Sequence, residues 1–333
     1  MADLVADGLR HVALFYRERA EYLAAVTAFL LASLARDEPV FAAVPGQRIG
    51  EIAGILEGDA PRVSFVDMTM AGRNPAAIIP AVRAFADRHR GERFGFLGES
   101  AWPRRSPAEL VEVAKHEALT NLAFAGTSAS ILCPYDASSL PTGAITDARC
   151  THPVISERGI SRDSQAYLGP HRLPLSCEQP LDGPPPEAEV LRYRTDLHPV
   201  RALVAARALA AGLTEARAGD LVLAVSEVAA NTFRHTRGGG SLTLWSSPGE
   251  IVCEVTDGGW IADPLAGRVR PAGQLAGQQG LWVVNRLCDL VQVRSGPAGT
   301  TVRLHMSVAR PGQKQVDGRP AGRERAGRKW SML

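Results

Sequence analysis

Cysteine is scarce in this chain. There are five in 333 residues, Cys133, Cys150, Cys177, Cys253 and Cys288. Their odd number and wide scatter exclude a disulfide scaffold, and reduced thiols are expected. Long apolar runs are missing too. None approaches the ~18–20 residues that cross a bilayer, so no membrane partner is expected. Residues 1–10 carry acids and lack a basic stretch followed by an apolar one, so no secretory signal is read there and a cytoplasmic location is expected. Charge of one sign is also lacking. The net charge is +2, which gives no electrostatic case for direct nucleic-acid binding.

What is present is an ordinary globular composition, 45% hydrophobic and 22% charged, in a chain long enough for two domains. Six prolines fall between Pro170 and Pro186. Proline fixes φ and removes a donor, so this stretch fits neither a helix interior nor a central strand. The expected organisation is a first domain over 1–156, a Pro-rich linker over 157–189, a second domain over 190–308, and a tail over 309–333. From Arg310 onward there are seven Lys or Arg against two Asp or Glu, a net of +5. With Gly, Pro and Gln between them, this tail reads as disordered and solvated.

Before the linker, strands and helices alternate. A helix is expected over 10–35, a strand over 39–44, a helix over 47–56 and a strand over 62–68. A helix over 75–90, a strand over 93–97, a helix from Ser106 as cap to 124, and a strand over 130–135 follow. This alternation predicts an α/β domain with a parallel sheet. After the linker come two helices, 199–212 with Asp196 as cap and 216–235. A hairpin follows (241–246 and 250–257), then a glycine-rich loop, a short helix (280–288) and two strands (290–295 and 300–306). Helices on one face of a mixed or antiparallel sheet are expected, an α+β layer.

Within the second long helix, Glu227, Asn231 and His235 stand at i, i+4 and i+8, on one face. A carboxylate and an amide on adjacent turns suit a hydrated Mg²⁺ beside a phosphate, although a polar stripe on a surface helix is the commoner cause. His235, at the helix end, reads as structural. The next strand ends in Asp257-Gly258-Gly259, a carboxylate freed by glycines and able to accept the exocyclic amine of adenine. Gly277-Gln278-Gln279-Gly280 opens the short helix and offers backbone N–H groups to phosphate. In Gly299-Thr300-Thr301, a glycine opens the last strand and a hydroxyl can reach a base.

In this order the four motifs resemble the GHKL ATPase superfamily, which includes gyrase, histidine kinases and mismatch-repair ATPases. The resemblance covers about 191–306. Within the superfamily, the Glu-x-x-x-Asn-x-x-x-His run and the short loop are most similar to the anti-sigma-factor serine kinases. The resemblance implies ATP and Mg²⁺ as cofactors, Glu227 as general base, Asn231 as the Mg²⁺ ligand and Asp257 as the adenine reader. It further implies nucleotide contacts from Gly259, Gly277, Gly280, Leu281, Thr300 and Thr301. Two departures bear on turnover: no further glycine follows at 260–264, and Gln279 stands where an Arg is common.

The first domain resembles the MEDS sensory domain, named from methanogens, methylotrophs and a dichloromethane-responsive repressor. The matching pieces are His11–Tyr16, Phe96–Trp102, His116–Leu119, Leu132–Asp136 and Thr151-His152-Pro153. The domain type is similar to a RecA-like sheet. Yet the turn after the 39–44 strand, Val44-Pro45-Gly46-Gln47-Arg48-Ile49-Gly50, has no Gly-Lys-Ser/Thr, so no phosphate-cradling P-loop is expected. His11, Cys133 and His152 could meet at one end of the sheet as a metal or sensory site. Their spacing matches no compact zinc pattern, and buried structural His and inert Cys are the commoner reading.

These readings lead to an anti-sigma regulator. It would bind ATP–Mg²⁺, phosphorylate a Ser or Thr of a STAS-type anti-sigma antagonist and control a sigma factor, with a homodimer suggested by the resemblance. One alternative is a non-catalytic ATP-binding partner-switch module. Another is a sensor histidine kinase, because His116-Glu117-Ala118-Leu119-Thr120-Asn121 is similar to a phosphoacceptor box.

Overall fold

A computed structural model describes residues 8–236, 238–270 and 280–308, with His235 described in its backbone alone. The chain divides into two compact units after Gln179.

The first unit contains, in chain order, β1 (Leu9–Tyr16), α1 (Arg19–Leu34), β2 (Val40–Val44), α2 (Gly46–Leu56), β3 (Val63–Asp67) and the single turn α3 (Met68–Ala71). It continues with α4 (Ile78–Arg88), β4 (Phe94–Gly98), α5 (Pro107–Ala123), β5 (Ala129–Asp136), α6 (Thr142–Thr151), β6 (Val154–Glu157), β7 (Ile160–Asp163) and the short α7 (Leu175–Glu178). The strands form one sheet in the order β3-β2-β4-β5-β1-β6-β7. Every pairing is parallel except the edge hairpin β6–β7. Its turn is Arg158-Gly159, both at positive φ, the backbone shape that suits a two-residue hairpin. Ser106 caps α5 in a reciprocal capping box with Glu109, as its spacing predicts.

Two expectations are corrected here. Residues 10–16 are not helical. They form β1, which lies between β5 and β6, and the helix begins only at Arg19. A central parallel strand is buried on both faces and shows an unbroken apolar run. Such a run cannot be told from a buried helix by periodicity when no Gly or Pro separates it from the helix that follows. Within the expected linker, 157–179 belongs to the first unit. β7 pairs with β6, Ser164 donates its hydroxyl to the Arg149 carbonyl at 2.6 Å, and the buried Cys177 donates to the Val111 carbonyl. The prolines limit this segment to short elements without forbidding packing.

The second unit contains β8 (Glu189–Tyr193), α8 (His198–Ala210), α9 (Glu215–His235), β9 (Gly240–Ser247), β10 (Glu250–Asp257), α10 (Gly280–Leu287), β11 (Leu290–Gly296) and β12 (Gly299–Ser307). Its sheet has the order β11-β12-β10-β9-β8, and all pairings are antiparallel. Asp196 accepts the His198 N–H at 2.8 Å, which satisfies a donor at the start of α8. Alternation assigns the faces. Ile251, Cys253 and Val255 of β10, with Val302, Leu304 and Met306 of β12, join Leu221, Val225 and Val228 of α9 in one core. Burying each large member contributes roughly 1.5–3 kcal/mol. The edge strand β8 is five residues long and follows the prolines, so no local pattern marks it. Among the described residues, no helix is long and apolar enough to cross a membrane.

Candidate nucleotide site and a buried polar cluster

α9 lies on the sheet beside α10, and this brings the separate motifs of the second unit together. A Cβ placed on Gly280, the first residue of α10, would lie 3.1 Å from Glu227 Oε2 and 3.2 Å from Asn231 Nδ2. The N-terminal turn of α10, where backbone N–H groups lack helical partners, therefore faces Glu227 and Asn231 directly. Leu281 is the next residue of that turn. Asn231 Oδ1 accepts from Arg234 at 3.0 Å.

Asp257 ends β10 on the helix-facing side of the sheet. Its Oδ1 accepts the Gly259 N–H at 2.7 Å, and its Oδ2 accepts the Thr232 hydroxyl at 2.8 Å. Tyr193 of β8 donates in turn to Thr232 Oγ1 at 3.0 Å. A Cβ on Gly259 would crowd Asp257 Oδ1 at 2.9 Å and Thr236 at 3.0 Å, so glycine is what the close approach permits. Gly299, at φ +127°, sits against the Asp257 carbonyl and leaves no room for a side chain. Thr300 stands opposite Asp257 in the ladder and donates to the Gly259 carbonyl at 2.9 Å. Ser295 joins it, donating to Thr300 Oγ1 and accepting the Ile261 N–H. Thr301 pairs with Thr256, on the opposite face of the sheet from Asp257.

The structure thus brings Glu227, Asn231, Asp257, Gly259, Gly280 and Thr300 to one side of the sheet, and leaves Thr301 on the other. Gly277 lies outside the described residues, as do Gly273, Gln278, Gln279 and the 309–333 tail. Sequence reasoning missed Thr232 and Tyr193. The signal for Thr232 was a hydroxyl on a helix stripe that is otherwise apolar. The signal for Tyr193 depended on β8, which was not foreseen. The residues present fit a magnesium-bound adenine nucleotide: an anchored carboxylate beside glycine, oxygen donors on adjacent helical turns, and a helix N-terminus opposite them.

In the first unit, His11 on β1, Cys133 on β5 and His152 just after α6 do meet, together with Glu117 of α5, which the sequence did not single out for this cluster. All four are buried, with His11 and His152 at 0% exposure. They join β1 and β5 to α5 and to the residue that follows α6. His11 Nε2 is 3.2 Å from Glu117 Oε2, and Cys133 Sγ is 3.4 Å from each of those atoms. Burial, and then the charge of Glu117, push the Cys133 thiol well up. Burial and the neighbouring His11 push His152 down. Burial alone would raise Glu117, but His116 and the His11 and His152 contacts hold it well below the usual carboxylate range. His116 itself is 3% exposed inside α5.

Residues 10–153 match the MEDS family, the methanogen/methylotroph, DcmR sensory domain, and residues 192–306 match the histidine kinase-like ATPase domain. No curated protein matches the chain. Among solved structures, it is similar to the RsbU and RsbW domains of Rv1364c from Mycobacterium tuberculosis. The identity there is 22% over 37% of this chain, with a TM-score of 0.28, and the chain spans about a third of that protein's length (33%). The chain therefore joins a MEDS sensory domain at its N-terminal side to a histidine kinase-like ATPase domain of the GHKL type.

Proposed function

We propose that the second unit binds ATP with Mg²⁺ and transfers the γ-phosphoryl group to a serine or threonine of an anti-sigma antagonist of the STAS type, and that the same unit holds a sigma factor. The observation that carries this reading is the apposition of Glu227 and Asn231 to the first turn of α10, with Asp257 fixed at the end of β10. Asp257 accepts the adenine amine, Thr300 lies on the same face, and Gly280 and Leu281 present backbone N–H groups to phosphate. Asn231 contributes the oxygen ligand for Mg²⁺, which neutralises phosphate charge when bound. Glu227 takes the proton of the partner hydroxyl as its oxygen bonds to phosphorus and the bond to the leaving ADP oxygen breaks. The first unit acts as the sensory partner that biases the choice between sigma factor and antagonist.

A second reading is a non-catalytic ATP-binding module. Arg234 engages Asn231 Oδ1, the atom that Mg²⁺ requires, and this favours it. Calorimetry with Mg²⁺–ATP tests both readings, with wild type beside Asp257→Asn. Binding by wild type that is lost in the variant supports the site, and absence of binding in folded wild type refutes it. Glu227→Ala then divides the readings. A kinase retains ATP binding and loses stable phosphoserine or phosphothreonine on the partner, whereas a binding module retains all of its function.

A further inference from the structure

The buried cluster of the first unit contains more lone pairs than protons. Asn121 Nδ2 donates to the carbonyls of Thr151 (2.7 Å), Glu117 (3.2 Å) and Ala118 (3.3 Å). That turns its Oδ1 toward His11, so His11 Nδ1, 3.1 Å away, is the donor of that bond. His152 Nδ1 lies 2.8 Å from the Ala148 carbonyl and is a donor for the same reason. In the neutral rings both Nε2 atoms then carry lone pairs. His11 Nε2 is aimed at Glu117 Oε2 from 3.2 Å. His152 Nε2, fully buried and without a hydrogen-bond partner, faces the same oxygen from 3.5 Å. Cys133 Sγ completes the group. With both rings neutral, these four electron-pair donors, within 4.8 Å of one another, have only the thiol proton of their own, beside the Tyr135 hydroxyl that bonds Glu117. A buried arrangement of that kind calls for a positive centre.

The distances suggest what the centre is. Tetrahedral zinc bonds of about 2.0–2.3 Å to N, O and S place neighbouring ligand atoms roughly 3.3–3.7 Å apart. Four of the six separations among these atoms are 3.2, 3.4, 3.4 and 3.5 Å, and all six lie within 4.8 Å. The supporting contacts are also those of a metal site, where each ligating imidazole donates its other N–H and each carboxylate is itself hydrogen-bonded. His11 has Asn121, His152 has the Ala148 carbonyl, and Glu117 Oε1 accepts from Ser100 at 2.5 Å.

We propose that His11, Glu117, Cys133 and His152 hold one divalent transition-metal ion of the zinc class in a closed, four-coordinate site. On binding, the Cys133 S–H bond breaks, its proton leaves to solvent and a sulfur–metal bond forms, with no change of oxidation state. One thiolate and one carboxylate balance the dication, and both imidazoles stay neutral. Four protein ligands, all buried, fill a tetrahedral shell, so the site is closed in the manner of structural zinc sites. The ion would clamp the sheet centre to α5 and to the end of α6, tying together residues 141 positions apart in sequence, from His11 to His152.

The test is elemental analysis of the full chain purified under reducing conditions, followed by exchange for Co²⁺. The expected result is about one metal ion per chain, and a cobalt form with strong visible bands of tetrahedral type and a near-ultraviolet thiolate charge-transfer band. Cys133→Ser should abolish the charge-transfer band, and His152→Gln should cut metal content several-fold. Folded wild type without metal and without cobalt bands would overturn the proposal in favour of an imidazolium–carboxylate network. A charge-transfer band that survives Cys133→Ser would overturn it by placing the metal on another cysteine. Should Cys133→Ser not fold, X-ray absorption of wild type decides. One sulfur among three nitrogen or oxygen neighbours supports the site, and a shell without sulfur refutes it.

Discussion

Thr232 donates its hydroxyl to Asp257 at 2.8 Å, and so ties the last turn of α9 to the end of β10. Because Tyr193 donates to the same hydroxyl, Asp257 is oriented by a relay that reaches the edge strand β8. Thr232→Val removes the donor and strands a buried tyrosine hydroxyl. A loss of about 1–3 kcal/mol of stability is expected, with roughly tenfold weaker nucleotide binding, about 1.4 kcal/mol. Thr232→Ser should restore most of both. Urea unfolding and calorimetry measure the two effects, and equal affinity in the valine variant would remove the relay from nucleotide recognition.

Gly280→Ala separates folding from binding. Gly280 opens a helix and is not at positive φ, so alanine fits the backbone, and a small change in melting temperature is expected as the Glu227 and Asn231 side chains shift by a few tenths of an ångström. Its methyl would stand 3.1 Å from Glu227 Oε2, in the space between α9 and the first turn of α10. ATP affinity should fall by about tenfold or more, while a melting curve rules out misfolding.

On the opposite face of the second sheet, Arg303 pairs with Glu254, its Nε donating at 2.9 Å and one Nη at 2.6 Å to the same oxygen. That Nη also donates to the Asp182 carbonyl. Both side chains are about nine-tenths buried. Glu254→Ala leaves a buried guanidinium without its carboxylate and should cost about 3–5 kcal/mol. The double variant Glu254→Leu/Arg303→Met should recover a large part of that loss. Denaturation of wild type and the two variants measures the recovery, and a double variant as unstable as the single would count against it.

In the first unit, burial raises the Glu99 carboxyl to about 7, against the opposing pull of Arg48. Tyr22 donates to it at 2.8 Å, with Arg48 of α2 3.4 Å away, and Asp136 of β5 and Tyr16 of β1 complete the charged surroundings. A folded-state value above the unfolded one means that the native state binds the extra proton. This group's contribution is therefore present below about 4.5 and declines as pH rises toward 7. The change is on the order of a few kcal/mol. Melting temperatures of wild type and Glu99→Gln should converge at the acid end of that window and separate toward neutral pH, with the variant the more stable. Parallel curves would contradict the assignment.

Much of this was legible in one dimension. The i, i+4 spacing of Glu227 and Asn231 fixes a shared helix face through the helical pitch alone. Ser106 with Glu109 is a local capping signal and forms as expected. The hairpin of β9 and β10 follows from its turn residues. β1 was not legible, because a strand buried on both faces carries no period of two. Glu117 was not legible as a partner of His11 and Cys133, since 106 positions separate it from the histidine and only the closing of α5 over the sheet brings them together.

The sequence by itself determined most element types, with β1 and β8 among the exceptions, and named the nucleotide-site motifs and three of the four buried cluster residues, because propensity, capping and motif spacing are local. The tertiary structure decided which of those residues meet. It placed Thr300 beside Asp257 and Thr301 on the far face, since a ladder register sends successive side chains to opposite sides. It also gathered His11, Glu117, Cys133 and His152 into one buried cluster, because only the packing of a sheet against its helices brings side chains so distant in sequence together.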